Sequence, residues 1–208
     1  YSPSNYVGKP IICTNPCAEV PLEDGGACNL GSLNLSRFVV DGYTSQAKID
    51  WDTLAESTEI LVRFLDNVVT WNEDLNALEK QRQAAKETRR LGLGVMGIAD
   101  MLNQLGIGYD SEEGNEIIKN VMEFSTNAAY QASARIAAEK GPSPIYNEEQ
   151  YMECPFVEEA LSEETIKIIK DNGLRNIAIM SIAPTGSISN IVLSYKSDEK
   201  NYIGVSSG

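Results

Sequence analysis

The chain has 208 residues, of which 42% are hydrophobic and 23% charged, with a formal net charge of −13 and no histidine. These values fit one generous globular domain or two small ones and exclude a disordered chain. The acidity excludes non-specific nucleic-acid binding, which needs a basic face, and the lack of histidine excludes Ser-His and Cys-His hydrolase chemistry. A phosphate-bearing ligand stays open if backbone amides or a local cation hold it. No apolar run approaches the ~20 residues of a membrane span and no signal-peptide pattern opens the chain, so a cytoplasmic protein without a membrane partner is expected. The start on Tyr1 and the stop in a Ser-Ser-Gly turn read as those of a piece of something longer.

Residues 1–14 are expected to be extended. Pro16 and Pro21 hold Asn15 and Val20 in β or polyproline geometry, so the extended run continues to a turn at Gly25-Gly26. A second extended or mixed stretch reaches Val40, and 41–50 is polar and turn-rich. Asp50 is placed to cap a helix over 51–71 with an apolar stripe of Leu54, Leu61, Phe64, Leu65, Val68 and Val69. Residues 75–90 favour helix, and a buried helix is expected from Gly94 to Leu105. Ser111 opens a long helix to Lys140, and an amphipathic helix over 157–171 closes at Asn172-Gly173. The isoleucine-rich run 175–184 predicts a buried strand. Helices with a few buried strands make an α/β fold.

Chemistry concentrates in TNPCAEVPLEDGGACNLGSLNL, residues 14–35. In an extended segment, alternation puts Asn15, Cys17 and Glu19 on one face at intervals of ~6–7 Å. That face carries an amide to hold a polar substrate, a thiol for sulfur chemistry and a carboxylate to move a proton. Three plainer readings stand beside it. A buried cysteine is often an inert small hydrophobe. Cys13, Cys17, Cys28 and Cys154 could bind a metal, although their spacing is uneven and Glu19 suits a thiolate site poorly. A Cys17–Cys28 disulfide across the Gly-Gly turn would be redox-active in a reducing compartment.

Farther along, the strand at 175–183 leads into Pro184, Thr185, Gly186, Ser187, Ile188 and Ser189. Such a loop offers amides and hydroxyls to an anion, or is a capped turn. Gly92, Gly94 and Gly97 spell G-x-G-x-x-G, yet neither a preceding strand nor an acidic residue ~20 positions on is evident. These glycines are therefore read as permitting close helix packing, and Arg89 and Arg90 as structural salt-bridge or capping residues. The stretch 193–205 reads as a polar insertion of unassigned role.

The stretch 14–39 resembles the active-site finger loop of ribonucleotide reductase catalytic subunits, which share Asn-x-Cys-x-Glu. Pro16 and the eleven-residue step from Cys17 to Cys28 are most similar to the adenosylcobalamin-dependent class II enzymes. TRRLGLGVMGIADMLNQLGI (88–107) and APTGSISNI (183–191) resemble further stretches of the same family, in the same order.

The resemblance implies part of a ten-stranded α/β barrel with a central finger loop and mostly helical connections. It implies one domain over 1–208, with finger loop 14–35, helical region 51–171 and strand plus phosphate loop 175–191. It assigns the thiyl radical to Cys17, the proton-accepting carboxylate to Glu19 and the ribose-binding amide to Asn15. Cys28 matches one thiol of a redox disulfide whose partner would lie upstream of Tyr1. Residues 184–189 would hold the substrate's phosphates, Cys13 is structural, and no metal ligand is assigned. The implied reaction is reduction of ribonucleoside di- or triphosphates, with an external thiol reductant such as thioredoxin and a homodimer of the full enzyme. The implied cofactor is adenosylcobalamin. One alternative is the iron-dependent class I, with its radical from a di-iron partner subunit; another is a non-catalytic module with a cysteine metal site. The 208-residue piece alone is expected to be inactive.

Overall fold

The computed structural model describes residues 2–197, 201–205 and 207–208, with side chains described outside 193–206. Prolines and glycines keep the first fifty residues in short strands. β1 (Ile11–Thr14) and β2 (Pro21–Glu23) pair antiparallel as a hairpin, and β3 (Asn29–Asn34) follows the turn in which Gly25 takes φ +77°. β4 (Val39–Val40) and β5 (Lys48–Ile49) form a small antiparallel pair.

Helix α1 (Trp51–Asn72) starts where the sequence places it, with the Thr53 amide donating to Asp50 Oδ1 at 3.1 Å. Its buried stripe is Leu54, Val62, Leu65 and Val69, whereas the expected Phe64 stays 60% exposed. Helix α2 (Glu79–Thr88) ends at Arg89, whose φ of 46° is left-handed. The chain then enters β6 (Leu91–Met96), every residue of which is buried, and α3 (Ile98–Leu105).

The helix expected from Gly94 is thus a strand and a helix, broken at Gly97 with φ +75°. A continuous apolar run without alternation suits a parallel strand covered on both faces. The glycines serve strand packing and not helix packing. A Cβ on Gly94 would lie 2.3 Å from the Ser181 carbonyl oxygen, and one on Gly92 would lie 2.4 Å from Leu30 Cδ2.

Helix α4 (Glu112–Lys140) is capped by Ser111, which accepts from the Gly114 amide at 2.9 Å. α5 (Glu148–Met152) was not expected from the sequence. The single helix expected over 157–171 is two, α6 (Pro155–Ala160) and α7 (Glu163–Asn172). Pro155 opens the first and Ser162 caps the second, accepting from the Thr165 amide at 3.2 Å. β7 (Leu193–Ser197) and β8 (Asn201–Val205) form an antiparallel hairpin over the expected insertion; residues 198–200 of that insertion lie outside the described residues.

β3 and β6 pair in parallel from Asn29↔Leu91 to Asn34↔Met96. Residues 177–181 run alongside β6 as a third lane, with Leu91 N donating to Ala178 O (2.9 Å) and Ser181 N to Leu93 O (2.8 Å). Only Leu93↔Met180 bridges regularly, so the strand expected over 175–184 is short and irregular. Helices α1 and α4 pack together over this sheet around Leu54, Leu65, Leu93 and Ile136. The fold is α/β, as expected, and β6 interrupts the region read as helical. A closed ten-stranded barrel is more than these three lanes show.

Buried charge ties the layers together. Arg89, 2% exposed, donates to Asp66 Oδ1 (2.9 Å), Thr70 Oγ1 (2.6 Å) and Glu73 Oε1 (3.0 Å). Asn176 Nδ2 also donates to Asp66 Oδ1, and to the Arg89 carbonyl, both at 2.9 Å. α1, the entry to β6 and the third lane are therefore locked at one point, and Arg89 is structural as the sequence suggested.

Candidate active site

The tip of the β1–β2 hairpin is Asn15–Val20. Asn15 N donates to Val20 O (3.3 Å), Val20 N to Asn15 Oδ1 (3.0 Å) and Ala18 N to Asn15 O (3.0 Å). Ala18 has φ +63°. The segment is a tight turn and not extended backbone, so strand alternation is not what orients Asn15, Cys17 and Glu19. Ser181 Oγ donates to the Glu19 carbonyl at 3.4 Å and docks the tip on the third lane.

A cleft of about 330 Å³ opens beside this tip. Cys17 and Glu19 line one part of it, Leu30, Gly31 and Ser32 of β3 another, and Ala183–Ile188 the rest. Two stretches more than 160 positions apart in the chain thus meet at one cavity. Cys17 is exposed and its thiol is free. Glu19 is half-buried, and its Oε2 is shielded from solvent with no hydrogen-bond partner among the described residues. Asn15 and Cys28 are not among the lining residues.

The loop after the third lane is held in an uncommon shape. Thr185 has φ +56°, in a region non-glycine residues visit rarely. Ser189 N donates to Thr185 O (2.9 Å), and Ser189 Oγ (3.1 Å) and Asn190 Nδ2 (2.6 Å) both donate to Gly186 O. The loop's carbonyls are thereby satisfied from within, whereas the amides of Gly186 and Ser187 donate to no acceptor among the described residues. Consecutive free amides beside a cavity can hold an anion without any lysine or arginine. Gly208 backs the loop, since a Cβ there would lie 3.2 Å from Pro184 O. Ser207 N donates to Asp100 Oδ2 at 2.6 Å, tying this backing to α3.

A family model described as "Ribonucleotide reductase, barrel domain" matches residues 2–202. The chain belongs to that family. It is 39% identical over 179 residues to the vitamin B12-dependent ribonucleoside-diphosphate reductase of Mycobacterium tuberculosis (strain H37Rv), covering 86% of this chain and 22% of the relative. It is 40% identical over 188 residues to the reductase of the same name from Thermoplasma acidophilum, covering 90% and 22%. A ribonucleoside-diphosphate reductase subunit alpha of Chlamydia muridarum is 31% identical over 217 residues, covering 92% and 20%. The alpha subunit of the class Id ribonucleotide reductase of Actinobacillus ureae shares the fold, with a TM-score of 0.65 and 24% identity over 90% of this chain and 31% of that one. The chain thus spans 22% of the length of the vitamin B12-dependent relatives it matches.

Within this reductase barrel domain, Leu30, Gly31 and Ser32 are cleft residues that motif reading missed. The parity of β3 was the available signal for two of them, because Leu30 and Ser32 alternate onto one face. Cys28 immediately precedes β3, and a Cβ on Gly92 would come within 2.7 Å of its sulfur. Burial pushes its thiol up to about 12; Arg90 opposes this, and Glu19 and Glu23 add to it. Cys28 is therefore a neutral thiol at physiological pH. Cys154 is buried at the start of α6, far along the chain from the hairpin. Among the described residues no group of three or more His, Cys, Asp or Glu could hold a metal ion. No helix among the described residues is long and apolar enough to cross a membrane.

Proposed function

We propose that this chain supplies the thiol face and phosphate loop of a ribonucleotide reductase, which converts ribonucleotides to deoxyribonucleotides by radical chemistry. The observation that carries this reading is the single cleft shared by Cys17, Glu19 and the 184–188 loop, whose Gly186 and Ser187 amides meet no acceptor among the described residues. Its volume suits a small polar ligand. A nucleotide phosphate held by amides also reconciles substrate binding with a chain of net charge −13.

Each residue has one task in this reading. Cys17 as a thiyl radical takes the ribose 3′-hydrogen and later returns it. Glu19 accepts the 3′-hydroxyl proton, for which its shielded Oε2 is available, and the 2′-hydroxyl leaves as water. Asn15 commits its Oδ1 to the turn and keeps its Nδ2 to donate to a ribose hydroxyl. Cys28 and a second thiol supply two electrons and two protons and close to a disulfide, which an external dithiol of the thioredoxin type reopens. Pro184, Thr185, Gly186, Ser187, Ile188 and Ser189 form the phosphate loop, in which Ser189 acts by holding the Gly186 carbonyl.

The radical source is adenosylcobalamin, supported by 39–40% identity to relatives named vitamin B12-dependent against 31–32% to those named subunit alpha. The chain fits that source at one point, the exposed Cys17 sulfur. When bound, the cofactor supplies the oxidising equivalent that removes the Cys17 thiol hydrogen. We further place the 208 residues in one ten-stranded barrel domain, with finger loop 14–35, helical region 51–171 and phosphate loop 175–191, in a cytoplasmic and homodimeric enzyme.

The test is Cys17→Ser in the full-length enzyme. Deoxynucleotide formation is expected to vanish while ribonucleotide binding persists, because the loop that holds the phosphates is intact. Retained turnover would overturn the proposal.

A further inference from the structure

Arg90 and Glu23 form an ion pair that the reaction outlined above leaves unused. Arg90 is 4% exposed and Glu23 is 2% exposed. Arg90 Nη2 lies 2.7 Å from Glu23 Oε2 and also donates to Ser4 Oγ. Among the described residues neither group is fully satisfied, since Arg90 Nε and Glu23 Oε1 are buried without a hydrogen-bond partner. A buried pair with spare donors and acceptors is weak evidence for stability. Its effect on its surroundings is the more informative property.

What it surrounds is Cys28. The parallel register Asn29↔Leu91 puts Cys28 level with Arg90 one step earlier. Glu23 opens the turn leading to Cys28, where Gly26 N donates to Glu23 O at 2.8 Å. The absent Cβ of Gly92, two residues beyond Arg90, lets β6 approach the sulfur.

We propose that Arg90 and Glu23 are positioning residues for the Cys28 thiol, one cation and one anion fixed beside it so that their balance sets its reactivity. The charged groups acting on that thiol are Arg90 at the entry to β6 and Glu19 and Glu23 on the hairpin. Arg90 favours the thiolate, and the two carboxylates disfavour it. Because a disulfide sulfur leaves faster the better its thiolate is stabilised, the pair governs how readily an external thiolate releases Cys28 from its disulfide. That consequence rests on the function proposed above; the reactivity of the thiol does not.

The test is peptide-resolved iodoacetamide labelling of the full-length enzyme. Arg90→Gln is expected to slow Cys28 labelling and Glu23→Gln to speed it, by about tenfold for each pKa unit moved. Cys154, 1% exposed, serves as the reporter of general loosening and is expected to stay protected in both variants. Shifts of the same sign, no shift, or Cys154 labelling in parallel with Cys28 would overturn the proposal. If Arg90→Gln does not fold, Arg90→Lys retains the charge and is expected to label like the parent while Glu23→Gln labels faster. A slowed or unchanged Glu23→Gln would then overturn it. Labelling needs no substrate, so this result is separable from the fate of the Cys17→Ser test.

Discussion

Asp66 is fully buried, and its Oδ1 accepts from Arg89 and Asn176 at 2.9 Å each. Removing its charge leaves Arg89 buried with, among the described residues, only the more peripheral Glu73 for a counter-ion. Asp66→Asn is therefore expected to cost about 3–5 kcal/mol, measured by urea denaturation. A loss within experimental error would show that Glu73 alone supports the guanidinium. The residues of the hairpin tip carry a different lesson. Asn15, Cys17 and Glu19 were singled out as a set from Asn-x-Cys-x-Glu; Cys17 and Glu19 line the cleft and Asn15 does not. The reason given by alternation was wrong, because Ala18 at φ +63° and the Asn15 side chain curl the segment into a turn.

At the level of elements, the glycines of β6 decide the site. Gly94 lies so close to the third lane that a methyl group would meet the Ser181 carbonyl oxygen at 2.3 Å. That obstacle is backbone and not a flexible side-chain end, so the lane carrying the 184–188 loop has to move. Gly94→Ala is expected to destabilise the protein by about 1–3 kcal/mol, as overpacking does. It is also expected to raise the KM for nucleotide more than it lowers kcat. Unchanged KM with lowered stability would separate packing from loop placement. The strand itself was hidden in the sequence. Six buried residues after a helix, two of them glycine, have no period that separates strand from helix. Helices with caps at Asp50 and Ser111 were legible because a cap is a local signal, satisfied by an amide three residues on. The break at Ser162 carries the same signal, and the amphipathic pattern across it concealed the stop.

The whole molecule keeps several acidic hydroxyls and thiols neutral by burying them. Burial pushes Cys28 up to about 12 from 9.0 and Tyr146 up to about 12 from 10.0. It raises Tyr130 and Tyr151 further, the latter donating to the Ile177 carbonyl at 3.1 Å. In the unfolded chain these groups lose their protons near their ordinary values, so above about pH 9 the folded state binds more protons than the unfolded state. Stability is therefore expected to be fully present below about pH 9 and to fall as pH rises toward 12. Chemical denaturation across that range checks this. A flat profile would show that these groups are not differentially protonated.

The sequence alone determined the α/β class, the capped helices and the reductase resemblance, because each rests on signals local to a few residues. It also supplied the thiol–carboxylate motif and the 184–189 loop as separate stretches. Only the tertiary structure decided that they share one cleft, that Ser32 joins them and that Arg90 and Glu23 stand beside Cys28. Those facts depend on the parallel register of β3 with β6 and on the third lane beside it. Pairing between segments so distant in the chain is fixed by burial and close packing of the whole, and no local run of residues encodes it.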